Sequence, residues 1–261
     1  MNTKSFQSDG YLSVRGVIEE SIICQCKKEL PALFSVPAYY EKSTTVRSVF
    51  EKSPDKFRSD ISLEDIPEAE IFIGSSPLEY SGIFRELVCA ENIWKLASSC
   101  LDVPLDALVL NYVQVIRKAP CFSPKISWHR DYGNNYISTE NSCDMLRVFI
   151  PLQKYRHSCG ETVVVPGSHC VTDMKALEKK GLEPSVFNSV SVNLEIGSGD
   201  LLAIHSKTIH GSELNETKHY RDQLVVQLAV KGVSYHTQLS KSYFEPYHLS
   251  GCTEMCEGLI T

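Results

Sequence analysis

The sequence predicts a mainly β fold with flanking α-helices, its core a double-sheet jelly roll. Three observations carry this. The first hundred residues hold helical stripes, the stretch after Pro104 turns to short apolar and β-branched runs, and Gly and Pro punctuate those runs at close intervals. Roughly eight such runs can be traced, the number a double-sheet jelly roll uses.

In the front end, taken as residues 1–104, Val17 to Leu30 carries apolar residues at 18, 22, 23, 26 and 30, and Pro31 is expected to end that helix. Ser43 to Glu70 is charged and broken by prolines, which reads as loop with short turns. Ile83 to Leu101 reads as one further helix with Ile83, Leu87, Ala90 and Trp94 on one face. In the core, residues 105–240, strands are expected over Leu108–Ile116, around His129, over Met145–Leu152 and over Glu161–Val165, which stops at Pro166-Gly167. Val190, Val192 and Leu194 alternate with polar residues as a half-buried strand does. Leu201–Ile204, Gln223–Val230 and a last strand near Ser234 complete the set. Residues 241–261 read as a C-terminal tail. With no internal repeat and no low-complexity linker, 1–261 reads as a single domain.

Composition narrows the function. A hydrophobic fraction of 43% in 261 residues supports a sizeable core. The formal net charge of −6 argues against a broad nucleic-acid surface. No apolar run approaches the roughly 20 residues of a membrane helix, and Met1 to Gly10 is too polar for a secretory signal, so a cytoplasmic location without membrane insertion is expected. The chain does not end in Ser-Lys-Leu. The ten cysteines are scattered without a Cys-x-x-Cys pair and read as reduced, mostly buried thiols. His248, Cys252 and Cys256 lack a recognised zinc spacing and read as surface tail.

The chemistry concentrates in two segments, Trp128-His129-Arg130-Asp131 and Ile209-His210-Gly211-Ser212, with Arg221 eleven residues past His210. On a β-strand, His129 and Asp131 leave the same face. A distant histidine would complete two imidazoles and a carboxylate around a metal, a set that leaves positions open as non-haem Fe(II) oxygenases require, although Zn(II) and Mn(II) accept the same donors. Arg221 offers a planar fork to a carboxylate co-substrate. His205 is the rival distal ligand; it falls within a strand and reads as a packed residue or as one that supports the ligands from behind. Trp128, Arg130, Tyr132, Asn134 and Tyr136 flank the motif and read as pocket lining or packing. Arg147 and Arg156 read as contacts for an acidic substrate or as solvated strand ends.

Residues 108–230 resemble the phytanoyl-CoA dioxygenase family of Fe(II)/2-oxoglutarate-dependent oxygenases. The matching pieces are Trp-His-Arg-Asp (128–131), Gly-Glu-Thr-Val-Val-Val-Pro-Gly-Ser-His (160–169) and His-Gly-Ser-Glu-Leu-Asn-Glu-Thr-Lys-His-Tyr-Arg (210–221), in family order. The resemblance implies a double-stranded β-helix (jelly-roll, cupin-like) core. It also implies His129, Asp131 and His210 as Fe(II) ligands, and Arg221 with Ser212 as anchors of the distal carboxylate of 2-oxoglutarate. Gln114 is where the family often places a further polar contact. Pro166 to His169 reads as a tight turn and Asn215 as a turn residue beside the site. The implied reaction couples O₂ and 2-oxoglutarate to oxidation of an unactivated C–H bond, releasing succinate and CO₂. Related halogenases lack the carboxylate ligand, so Asp131 argues against halogenation. Substrates in this family are small molecules, and a secondary metabolite or an amino-acid or acyl derivative is expected. The competing readings are a non-oxidative cupin-like metal protein and an inactive relative, neither of which needs Arg221.

Overall fold

The structure is a computed structural model that describes residues 3–35, 48–50, 71–75, 77–121, 123, 125–132, 138–171 and 184–236. Thirteen strands lie among these residues. The larger sheet is antiparallel, in the order β1 (Tyr11–Val14), β10 (Leu201–His205), β7 (Met145–Pro151), β12 (Arg221–Val230), β4 (Leu108–Lys118), β3 (Ile71–Ser75) and β2 (Ser48–Phe50). Facing it is a second sheet in the order β5 (Ile126–His129), β11 (His210–Ser212), β8 (Thr162–Val164) and β9 (Val192–Asn193). A small pair joins β6 (Ser138–Thr139) to β13 (Tyr235–His236).

Alternation along the central strands divides the interior in two. Leu224, Val226 and Leu228 of β12, Leu146, Val148 and Ile150 of β7, and Leu201 and Ala203 of β10 pack with the helices on the outer face of the large sheet. The helical side supplies Phe6 from α1 (Lys4–Asp9), Ile23, Cys26 and Leu30 from α2 (Glu20–Ser35), and Ile93, Leu96 and Ala97 from a later helix, Glu91–Leu101. The opposite faces of the same strands contribute Val225, Phe149, Leu202 and Ile204 to a second core, which closes against Val164 of the smaller sheet. The site occupies the polar end of this inter-sheet space.

The register of β4 against β12 skips Asn111, since Gln227 pairs with Tyr112 and Leu228 with Leu110. This one-residue bulge reverses the parity of β4. Leu108 and Leu110 on one side of it and Val113 and Val115 on the other therefore all reach the helix-facing core.

Several expectations are corrected. The front end is not only helical: β1, β2 and β3 extend the large sheet, so the strands outnumber eight, and Ser48–Phe50 is strand within a segment read as loop. The remainder of that loop segment lies outside the described residues, as do Asn134, Tyr136, the His248–Cys252–Cys256 trio and the tail. Pro31 does not end its helix, which runs to Ser35. Pro31 is exposed, so water reaches the carbonyl it leaves unbonded, and burial of Leu30 and Leu33 (about 1.5–3 kcal/mol each) opposes a proline cost of about 3 kcal/mol.

The helix read over Ile83–Leu101 is two: α4 (Gly82–Val88), preceded by the short α3 (Pro77–Tyr80), and α5 (Glu91–Leu101). The chain turns at Cys89–Ala90, where Ala90 has ψ 123°, and the Trp94 indole N–H donates to the freed Val88 carbonyl at 2.9 Å. The strand read around Val190–Leu194 is instead the end of α6 (Pro184–Val190) followed by the two-residue β9; Val190 and Val192 are 52% and 42% exposed, and Leu194 alone of the three is buried. Of the eight described cysteines, all free, only Cys26, Cys100 and Cys159 are buried.

Candidate metal centre

His129 ends β5 and His210 begins β11, and the two are direct cross-strand partners. Their rings lie 4.2 Å apart between centroids. Gly211, next to His210, makes this pairing possible. A Cβ there would sit 2.6 Å from the Ile126 carbonyl oxygen, so only a residue without a side chain lets β5 and β11 approach this closely.

Asp131 does not share the strand with His129, contrary to the sequence reading. The strand stops at His129 because the next residues are drawn elsewhere: Arg130 Nη2 donates to the Ser168 carbonyl at 2.8 Å, and Tyr132 N–H donates to the Ser206 carbonyl at 2.8 Å. The resulting bend turns the Asp131 carboxylate back to the two imidazoles. Its Oδ1 lies 3.9 Å from His129 Nε2 and its Oδ2 lies 3.8 Å from His210 Nε2. One ligand atom from each of the three residues falls within 4.8 Å of the others.

The tautomers follow from the far side of each ring. His129 Nδ1 is 2.9 Å from the Ser127 carbonyl and His210 Nδ1 is 2.9 Å from the Thr208 carbonyl. A carbonyl only accepts, so each Nδ1 carries a proton, and in the neutral ring Nε2 turns its lone pair inward. Burial, followed by His129, pushes His210 down to about 4, so it is neutral at ordinary pH. Burial alone would push Asp131 up, but Arg147, His210 and His129 together hold it below the usual carboxylate range. Both carboxylate oxygens are buried; the Arg147 guanidinium meets Oδ1 as an ion pair at 2.8 Å, and neither oxygen has an aligned hydrogen-bond donor among the described residues. Three electron-pair donors thus face one point with no proton between them, which is the electrostatic signature of a cation site. The donor set fits a ferrous ion and leaves further coordination positions available.

Arg221 opens β12 and is buried, with Nη2 donating to Thr162 Oγ1 at 2.9 Å across the inter-sheet space. Burial pushes its guanidinium down to about 10, with Cys159, Asp222 and Glu161 opposing, so it remains charged at neutral pH. Its neighbour Asp222 faces the other way and pairs with Arg117 at 2.6 Å. Ser212 stands directly across from Thr162 on β11, and its Oγ accepts the Ile126 N–H at 3.2 Å, which leaves the hydroxyl proton to donate. Gln114 is buried on β4, in register with Val225, whose side chain belongs to the inter-sheet core.

Asn215 is more than a turn residue. Fully buried, it donates to the Ala119 and His219 carbonyls at 2.9 and 2.8 Å and accepts from Thr217 Oγ1 at 2.8 Å, fixing the loop that delivers Arg221. Pro166 to His169 forms a turn whose Ser168 Oγ accepts the Ile209 N–H at 2.8 Å, beside His210. His205 stands apart from the cluster, with its ring 5.1 Å from His169 and 5.9 Å from Phe6. Trp128 packs its ring against Phe187 and donates to Asn188 Oδ1 at 3.1 Å. Arg156 is exposed. Arg147 is buried and paired to Asp131 Oδ1 at 2.8 Å, so it is no solvated strand end. Sequence reasoning missed this pairing and Thr162. The signal was there for Arg147, a single charge inside the apolar run Met145 to Pro151, where burial demands a partner.

Among the described residues, no helix is long and apolar enough to cross a membrane. Comparison with known proteins gives relatives along most of the chain. Phytanoyl-CoA dioxygenase domain-containing protein 1 of Rattus norvegicus is 24% identical over 261 residues, covering 86% of this chain and 88% of its own. The non-heme alpha ketoglutarate dependent carbocyclase SnoK from nogalamycin biosynthesis shares the fold with a TM-score of 0.70 at 16% identity, over 94% of this chain and 90% of its own. The epimerase SnoN, solved in complex with Fe3+, alpha ketoglutarate and nogalamycin RO, aligns with a TM-score of 0.65 at 17% identity, over 94% and 91% of the two chains. The jelly-roll fold expected from sequence is the fold of these enzymes. The phytanoyl-CoA dioxygenase (PhyH) family model matches residues 6–222, and the chain belongs to that family.

Proposed function

We propose that the protein is a non-haem Fe(II)- and 2-oxoglutarate-dependent dioxygenase that hydroxylates an unactivated C–H bond of a small molecule, with succinate and CO₂ as co-products. The observation that carries this reading is the convergence of His129, Asp131 and His210 within 4.8 Å, with both imidazoles turned Nε2-inward by main-chain carbonyls. These three residues would hold the iron. Bound there, ferrous iron supplies the electrons that activate O₂ while 2-oxoglutarate is decarboxylated.

The remaining work belongs to the chain. Arg221 presents a charged fork in a buried setting, where a carboxylate pairs strongly, and Thr162 holds that fork in one orientation. Ser212 adds a hydroxyl donor to the distal carboxylate, and Gln114 a polar contact from the facing strand. Phe149, edge-on to the His210 ring at 5.8 Å, keeps water from one side of the centre. The relatives solved from nogalamycin biosynthesis include a carbocyclase and an epimerase, and they support a small secondary metabolite as substrate class. The net charge of −6 argues against a nucleic acid as partner.

The test is anaerobic addition of Fe(II) and 2-oxoglutarate to the purified protein. A weak visible charge-transfer band should appear, and Arg221→Ala should weaken it sharply. Absence of the band in the wild type, or an unchanged band in the variant, overturns the reading.

A further inference from the structure

Arg147 sits in an unlikely place for a cation. It lies on β7 between Leu146 and Val148, on a strand buried along its whole length. Burying a guanidinium costs several kcal/mol unless it is well paired. Its partners are Asp131 Oδ1, 2.8 Å from Nη1, and Gln227 Oε1, 3.3 Å from Nε. Gln227 is its neighbour in register on β12, so the guanidinium is held from behind by the sheet and pressed onto the carboxylate in front.

Charge alone does not explain this residue. A bound dication already neutralises Asp131, and an adjacent arginine repels that dication. What Arg147 does is occupy one particular oxygen. Oδ1, which also faces His129 Nε2 at 3.9 Å, carries the guanidinium at 2.8 Å, while Oδ2 faces His210 Nε2 at 3.8 Å. We propose that Arg147 is a positioning residue: it keeps the Asp131 carboxylate set toward the imidazoles before metal arrives, and it restricts that carboxylate to one-oxygen coordination once metal is bound. A carboxylate free to close on the metal with both oxygens would take a position that O₂ or the co-substrate needs. This inference rests on the metal reading of the preceding subsection.

The test uses Co(II) in place of iron, followed by its visible absorption and by thermal unfolding with and without metal. Arg147→Met should weaken the Co(II) visible band, because the freed Oδ1 raises the coordination number. It should also lower the melting temperature of the metal-free protein far more than that of the loaded protein, because the metal-free variant buries an uncompensated carboxylate. The gain in melting temperature on adding Co(II) is therefore larger in the variant than in the wild type. Arg147→Lys should restore much of the metal-free stability. Gln227→Met, which frees the guanidinium without removing it, serves if Arg147→Met does not fold, and it should move both readouts the same way to a smaller degree. If variants lose equal stability with and without metal and keep the wild-type Co(II) spectrum, Arg147 is only packing and the proposal fails. If the wild type itself shows no Co(II) band and no thermal response, the metal reading fails and takes this proposal with it.

Discussion

The protons on His129 and His210 are placed by main-chain carbonyls of Ser127 and Thr208, each two residues before its ring. That is why the two histidines differ in kind from His205, which uses its own Nδ1 to accept the Lys207 N–H at 3.1 Å. The residue types and their spacing were readable in the sequence, and they singled out the three side chains that the structure brings together. The carbonyls that orient them were not readable, because any residue type offers a carbonyl. His205 also carries an acid sensitivity. Burial, then His169, Lys207 and Arg130, push it from its ordinary 6.5 down to about 4. Above pH 6.5 the ring is neutral folded or unfolded, and its contribution to stability is complete. As pH falls from 6.5 toward 4, the unfolded chain takes up a proton that the folded protein refuses, and stability is lost. His205→Asn, which keeps an acceptor for Lys207, should therefore give a shallower fall in melting temperature across that window than the wild type, measured by thermal scans between pH 7 and pH 4.

Elements buried on both faces were the legible ones. Met145–Pro151 and Leu224–Val230 are apolar runs broken by one polar residue each, Arg147 and Gln227, because helices cover one side and the second sheet the other. Short elements at the margins were not legible. Val192 and Asn193 alternate as a strand should, yet they form only a two-residue edge whose position comes from pairing with Val164 and Val163. The break between α4 and α5 depends on one indole reaching Val88, a contact that apolar periodicity does not encode. The pairing of β5 with β11 matters most for the site, and it rests on Gly211. Gly211→Ala places a methyl carbon 2.6 Å from the immovable Ile126 carbonyl. The strands must part, and His129 separates from His210. The variant should remain folded, since the large sheet is untouched, but lose most of its metal affinity. Titration with Co(II) followed by absorption, beside circular dichroism to confirm the fold, checks both halves of that expectation.

At the scale of the molecule, local pattern identified a jelly roll but not its extent. Residues near the start of the chain join the strand that precedes His210: Tyr11 pairs with Ile204, 193 positions on, and Val14 with Leu201, 187 positions on. Such long-range pairing leaves no periodic trace in either partner, so the front end read as mostly helical, with loop but no strand. The join goes further than the sheet. The Gly10 carbonyl accepts from both the His205 N–H at 2.9 Å and Thr208 Oγ1 at 2.8 Å, and so grips the turn leading into His210. A protein trimmed to begin at Arg15 would leave the outer N–H and C=O groups of Leu201–His205 bare, a ready template for another copy of itself. Size-exclusion chromatography of that shortened form should show multimers, and the multimers should bind Co(II) poorly. Proteolytic loss of the segment ahead of Arg15 would then act as an off switch, silencing the centre by unlatching the turn that carries His210, 195 residues further along the chain.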